Sequence, residues 1–207
     1  CPFCYIGKHN LEQAIMRLSE EEMSRITIQY RSFELAPDAP LFTDKSTAEE
    51  IAERYGTTIE KAKEMIQNST GVAATCGIKL NYEKSIPTST FKAHQFQHHV
   101  MQTAPAKIKA SADLLFKAYF EEGKNLSDDA VLLDIAEKIE IDSNEVKAML
   151  EDERYVNAVR DDEAIAHRIS ITSVPFFVVN NEVAISGAQA TEDFYAFLKE
   201  QLTEKND

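Results

Sequence analysis

Apolar residues recur at Leu11, Ala14, Ile15 and Leu18, the i, i+3, i+4, i+7 spacing of one helix face. The period then changes. Residues 26–35, ITIQYRSFEL, alternate and are rich in β-branched and aromatic side chains, which predicts a strand closed by the segment Ala36-Pro37 to Pro40. From about Thr43 to about Arg168 the pattern is helical almost throughout. Ser46-x-x-Glu49 and Thr57-x-x-Glu60 have the form of capping boxes that open two helices, and Gly77 is a stop for the second. Thr90 caps a third helix through Phe91, His94 and His98. Pro105 and Gly123 bracket a fourth, and Ser127 and Asp142 or Ser143 open others before a longer one in DERYVNAVRDDEAIAHR. Strand character returns in SVPFFVVN (173–180), then the turn signal Asn180-Asn181 and an antiparallel partner EVAISG (182–187). TEDFYAFLKEQL closes the pattern as a capped helix with Phe194, Phe197 and Leu198 on one face.

The order is helix, strand, helical block, strand, hairpin strand, helix. A β-α-β unit followed by a β-β-α unit is a thioredoxin fold, an α/β architecture with a mixed sheet, here interrupted by an all-helical inserted domain. Residues 1–42 form the first part of the thioredoxin-fold domain, 43–168 the helical insertion, and 169–207 the second part. That fold needs a strand leading directly into its first helix. Nothing precedes Cys1 in the sequence, so the first strand is expected upstream, in roughly ten further residues.

Composition narrows the function. The chain of 207 residues is long enough for a sizeable core, and its net charge of −13 argues against nucleic-acid partners and against adhesion to anionic membranes. No apolar run approaches the roughly 18 residues of a membrane span. Three cysteines cannot all pair with one another, which excludes a disulfide-stapled scaffold and suits thiol chemistry in the cytoplasm.

That chemistry points to the first four residues, CPFC. A thiolate, not a thiol, attacks a disulfide, and the N–H groups and positive dipole end at a helix start stabilise the thiolate. Cys1, just before the helix, receives that field most directly, and Pro2 suits the first helical position. Cys4, almost one turn on, is within reach to displace a mixed disulfide at Cys1. Two cysteines at this spacing are also half of a zinc site, which Cys76 and a histidine would have to complete. An N-terminal nucleophile enzyme built on Cys1 would leave Cys4 without a role. A second signal is Val174-Pro175, which opens a strand where proline is normally excluded. In a thioredoxin fold this loop lies beside the C-x-x-C, with a cis peptide before Pro175, and the Val174 backbone can pair with an extended substrate. Phe176, Phe177 and Val179 read as core strand residues, with the edge of the same groove as the alternative place for Phe177.

Together CPFCYIGK, AYFEEGKNL, SVPFFVVN and AISGAQ resemble the DsbA-like thioredoxin family, and within it the FrnE-like branch. The resemblance covers nearly the whole chain. It implies thiol:disulfide oxidoreductase activity on protein or peptide thiols, with Cys1 as nucleophile, Cys4 as resolving cysteine and Pro175 as the cis-proline; Pro2, Phe3, Val174 and Pro175 would border the substrate. It implies a redox-active disulfide and no separate cofactor, with glutathione as a conceivable co-substrate. Phe3 stands where this branch often has Trp and DsbA has His, and Ser89 in TSTFKAH stands where relatives often have Asn. The alternative is a glutathione-dependent transferase or isomerase of the kappa-class or chromene-carboxylate isomerase type, which usually relies on a single Ser or Cys. A third is a redox-regulated chaperone module in which the helical domain holds a client.

His94 and His98 share a helix face at i, i+4, a metal-ligand spacing, but no third ligand joins them, so they and His99 read as structural. If the helical domain roofs the site, His94 faces Cys1. Cys76, beside Ala73, Ala74 and Gly77, reads as a buried free thiol.

Overall fold

The computed structural model describes residues 1–203. Helix α1 (Pro2–Ile15) begins directly after its N-cap, Cys1, with Pro2 at the first position, where the missing N–H costs nothing. A short α2 (Glu20–Ser24) follows, held by a capping box between Ser19 and Glu22. Of the predicted apolar stripe, Ala14 and Leu18 are buried, and Leu11 and Ile15 pack around them.

Residues 26–35 depart from expectation. They form no regular element and join no ladder, and the sheet among the described residues has two strands only. A strand exists through its partners. The thioredoxin arrangement places the strand that feeds α1 between this segment and the C-terminal hairpin, and no such strand is among the described residues. The side chains nevertheless keep a period of two, with Ser32 and Glu34 buried while Arg31 and Leu35 are exposed.

The helical block opens with α3 (Thr47–Tyr55), started by the Ser46–Glu49 capping box. Helix α4 (Ile59–Thr75) is capped one residue later than its sequence motif indicates, because the hydroxyl that accepts the Lys61 N–H is that of Thr58, at 3.2 Å. At α5 (Phe91–Thr103) Thr90 is the N-cap residue, yet the side chain that takes a helix N–H is Ser89, from Phe91 at 3.2 Å. A 3-10 turn at Pro105–Lys107 leads into α6 (Ile108–Phe120). Asp128, not Ser127, caps α7 (Asp129–Lys138), and Ser127 donates to the Leu41 carbonyl instead. Asp142 and Asp152 cap α8 (Ser143–Leu150) and α9 (Glu153–Arg168). Short polar side chains recur at these starts because each accepts one of the N–H groups a helix leaves unpaired.

The chain ends in β1 (Phe176–Val179), β2 (Val183–Ser186) and α10 (Thr191–Thr203). The strands pair antiparallel with Phe176 opposite Ser186 and Val179 opposite Val183. Asn180 and Asn181 make the connection with φ of 55° and 61°, the mirror-image turn whose twist matches a hairpin.

Among the described residues four apolar clusters organise these elements, one of them a small contact of α3 with α4 through Ala48, Ala52 and Ala62. The largest lies within α5–α9, around Phe96, Val100, Leu132, Ile135, Val146 and Met149. A smaller one holds α1 against the hairpin and α10 through Ala14, Leu18, Phe194 and Leu198. Between them, Ile6 of α1 meets Ala73, Ile78, Leu80 and Phe120, which joins the two regions.

Candidate active site

Cys1 ends in a position set by α1. Its thiol makes no capping bond to the helix, so the first N–H groups of α1 remain directed at the region it occupies. The sulfur instead donates to the Val174 carbonyl at 3.6 Å, a contact between residues 173 apart in sequence. Cys4, one turn along, is half-buried, and burial pushes its thiol above the ordinary cysteine value. Both are free thiols, and Phe3 between them is 39% exposed. Cys1 thus stands at the start of the helix, and Cys4 is the thiol that burial holds toward its neutral form.

Val174 and Pro175 enter from the far end of the chain. The peptide between them is cis, and Pro175 is buried against α1. The fit rests on Gly7, which motif reading passes over. A Cβ at Gly7 would stand 3.0 Å from Pro175 Cγ and 3.2 Å from Phe177 Cζ, so only glycine lets α1 approach the loop this closely. The sequence signal was a glycine kept in the middle of a helix, where it costs about 1 kcal/mol relative to alanine. Asn10 Nδ2 donates to the Gln189 carbonyl at 2.8 Å, and Gly187 N–H donates to the Pro175 carbonyl at 2.8 Å. These bonds tie α1 and the segment after β2 to the same loop.

Phe177 takes the core place expected of a strand residue and not the groove edge. Its ring packs edge-on against Phe194 at 4.9 Å, inside the cluster between hairpin and terminal helix. The period-2 alternation of β1 sends it inward.

On the helical side, Tyr5 stacks on Phe116 at 4.8 Å, and Lys8 pairs with both Glu12 and Asp113. Helix α1 is therefore clamped to α6 by an aromatic stack and an ion network. The three histidines of α5 separate in role. His98 shares a hydrogen bond with Ser32 Oγ at 3.0 Å and lies 3.2 Å from Asp162, and His99 bonds the Tyr155 hydroxyl at 3.0 Å. His94 is half-buried. Burial pushes it down to about 4, against the pull of Glu163 and Asp162. A neutral His94 supplies no positive charge to a thiolate at pH 7. Cys76 packs with Tyr5, Tyr82 and Phe116 around the Ile6 cluster, where it is half-buried. Among the described residues no three His, Cys, Asp or Glu side chains are grouped to hold a metal ion.

Residues 1–199 match the DSBA-like thioredoxin domain. The chain belongs to that family. Among the DsbA-like structures, a probable DsbA oxidoreductase from Streptomyces coelicolor is 29% identical, with a TM-score of 0.87 over 99% of this chain and 86% of that one. The uncharacterized protein YwbO of Bacillus subtilis is 24% identical across 99% of this chain and 94% of its own length. The cytosolic disulfide reductase DsbM from Pseudomonas aeruginosa, solved with GSH, shares the fold at 14% identity, with a TM-score of 0.67 over 98% and 94% of the two chains. The DsbA-like thioredoxin fold with a helical insertion is thus the architecture of this protein, and the family is one of thiol oxidoreductases. No helix among the described residues is long and apolar enough to cross a membrane.

Proposed function

We propose that this protein is a thiol:disulfide oxidoreductase that acts on protein or peptide thiols through Cys1 and Cys4. The observation that carries the reading is the meeting of Cys1, at the start of α1, with the Val174 carbonyl. Cys1 as thiolate attacks a substrate disulfide, forms a mixed disulfide and expels one substrate thiolate. Cys4, deprotonated, then attacks Cys1, which closes the Cys1–Cys4 disulfide and releases the second substrate thiolate. Two electrons pass from the protein dithiol to the substrate; oxidation of a substrate dithiol is the same sequence reversed. Environment supports the division of labour: the helix field favours a thiolate at Cys1, and burial disfavours one at Cys4. Pro2, Phe3, Val174 and Pro175 border the attacking sulfur, with the Val174 backbone offered to an extended chain. The reading goes with a cytoplasmic location, a domain division at residues 43 and 168, and no cofactor beyond the redox disulfide.

The test is equilibration of the protein in glutathione buffers of graded potential, with the oxidised fraction read by thiol trapping. A reversible two-electron transition that disappears in Cys1→Ser is the expected result. A pair that shows no transition overturns the dithiol mechanism. The second reading, a glutathione-dependent transferase or isomerase, is favoured by the fold shared with a structure solved with GSH. Cys4→Ser separates the two: a dithiol enzyme stalls at the mixed disulfide, whereas a glutathione enzyme built on Cys1 alone continues to turn over.

A further inference from the structure

Residues 31–34 join no ladder, yet Ser32 and Glu34 are buried. Helix α9 holds them. The Ser32 N–H donates to Asp162 Oδ2 at 2.8 Å and the Glu34 N–H to Glu163 Oε1 at 3.2 Å, so two carboxylates of one helix fill the role that ladder carbonyls have in a sheet.

The two carboxylates are supported differently. Asp162 has its own partners, with Arg31 donating to Oδ1 at 2.9 Å and His98 Nε2 lying 3.2 Å from Oδ2. Glu163 has to share. A single nitrogen, Arg160 Nη1, donates to Glu163 Oε2 and to Glu34 Oε2, both at 2.7 Å. The Glu34 and Glu163 carboxyls come within hydrogen-bond range of each other. The Glu34 side chain is 1% exposed, and its second oxygen, Oε1, is buried and receives no hydrogen bond. The other charged groups around the pair are engaged elsewhere. Lys92 of α5 is bound to Asp129 at 2.5 Å, and Arg54 of α3 reaches the Leu35 carbonyl at 3.3 Å and Glu50 at 2.7 Å. His94, within electrostatic range of Glu163, is held toward its neutral form by burial.

Two carboxylates within hydrogen-bond range repel each other when both are ionised. One proton between them removes the repulsion and turns a carboxyl oxygen from acceptor into donor. Burial acts in the same direction and pushes the Glu34 carboxyl above its ordinary value; Arg160 pulls it down, and Glu163 adds to the rise.

We propose that Glu34 and Glu163 hold one proton between them and form a pH-sensitive latch that fastens residues 31–34 to α9. The latch is closed while the proton is held. When the proton leaves, two like charges face each other where the Glu34 N–H meets Glu163, and the segment loosens. A carboxyl that holds its proton more tightly in the folded chain contributes stability that is fully present below the ordinary glutamate value. That stability is lost as pH rises through the folded value, the reverse of a salt-bridged carboxylate. The latch stands independently of the dithiol mechanism.

The experiment follows the Glu34 side-chain carboxyl carbon by its chemical shift in the full chain from about pH 4 to about pH 9. Hydrogen-exchange protection of the Ser32 and Glu34 amides, corrected for intrinsic rate, is read over the same range. Glu34 is expected to titrate above the exposed glutamates, and the two protections to fall across that titration while the Leu132 amide in the α5–α9 core stays protected. Glu163→Gln takes away the charged neighbour and is expected to lower the Glu34 midpoint. Glu34→Gln supplies a neutral side chain with a permanent donor and is expected to keep both protections level across the range, which keeps the test decisive should Glu163→Gln unfold. A Glu34 midpoint at or below that of the exposed glutamates, a midpoint that Glu163→Gln leaves in place, or a loss of protection with pH that persists in Glu34→Gln overturns the latch.

Discussion

The α5–α9 block and the layer formed by α1, the hairpin and α10 solve the same problem with different means. The block has a deep core: Phe96, Val100, Leu132, Ile135 and Val146 are fully buried, and they are contributed by helices that are near neighbours in sequence. The layer has four buried apolar residues, Ala14, Leu18, Phe194 and Leu198, drawn from opposite ends of the chain. The contacts between α1 and the loop beside the thiols belong to the second kind. Cys1 meets Val174, Gly7 meets Pro175, and Asn10 meets Gln189. The block is a frame built from redundant burial. The layer is an assembly of a few specific fits, and a single misfit there reaches the chemistry.

The largest effect that separates the two regions comes from Cys1→Ser. It is expected to abolish dithiol exchange in the trapping assay while changing the unfolding free energy by no more than about 0.5 kcal/mol. Next come two core truncations of comparable size. Leu132→Ala in the block is expected to cost about 2–5 kcal/mol in urea unfolding and to leave the redox midpoint where it was. Phe194→Ala in the layer is expected to cost about 3–5 kcal/mol and also to shift the midpoint, since Phe177 loses its ring partner beside Pro175. An unmoved midpoint in both would erase the distinction between frame and fit.

Gly7→Ala is a smaller change with a sharper reading. A helix gains about 1 kcal/mol from alanine over glycine, but the new Cβ meets Pro175 and Phe177 at 3.0 and 3.2 Å, and overpacking of this kind costs about 1–3 kcal/mol. Net destabilisation with slower exchange is expected. A stabilised protein with wild-type kinetics would mean that the close approach of α1 to the loop does not matter.

The smallest effect is a pH dependence at the junction of the two regions. His94 is held down to about 4 by burial, with Glu163 and Asp162 pulling the other way and His98 adding to the depression. Between the ordinary histidine value near 6.5 and pH 4 the unfolded chain binds a proton there that the folded chain refuses, so stability rises with pH across that window. Its contribution is complete above about pH 6.5 and is lost progressively as pH falls toward 4. Urea unfolding at pH 7 and pH 5 is expected to show this loss, and His94→Leu to flatten it. An unchanged slope in the variant would place the titration elsewhere.

Much of this protein was legible in its sequence because the signals are local. A capping hydroxyl lies three residues from the N–H it accepts, as at Ser46, and a hairpin turn is carried by two adjacent residues, as at Asn180-Asn181. The C-x-x-C at a helix start is equally local: Cys1, Pro2 and the dipole of α1 belong to one segment. At the start of α4 the capping-box spacing pointed to Thr57, whereas the backbone path put the cap one residue later, at Thr58. Residues 26–35 carry strand composition and strand alternation, but a ladder is made with a partner, and composition cannot supply one. The meaning of Gly7 was hidden because a glycine's reason is the atom it avoids, here 168 residues away at Pro175. The same holds for Glu34, an ordinary acidic residue in the sequence. Only folding buries it, gives one of its oxygens to Arg160 and leaves the other buried without a donor. Helices, turns and the reactive pair follow from short-range geometry and backbone hydrogen bonding, which the sequence determines by itself. Which surfaces meet, and which polar atoms lose water on meeting, depends on packing between distant segments, and that was decided by the tertiary structure alone.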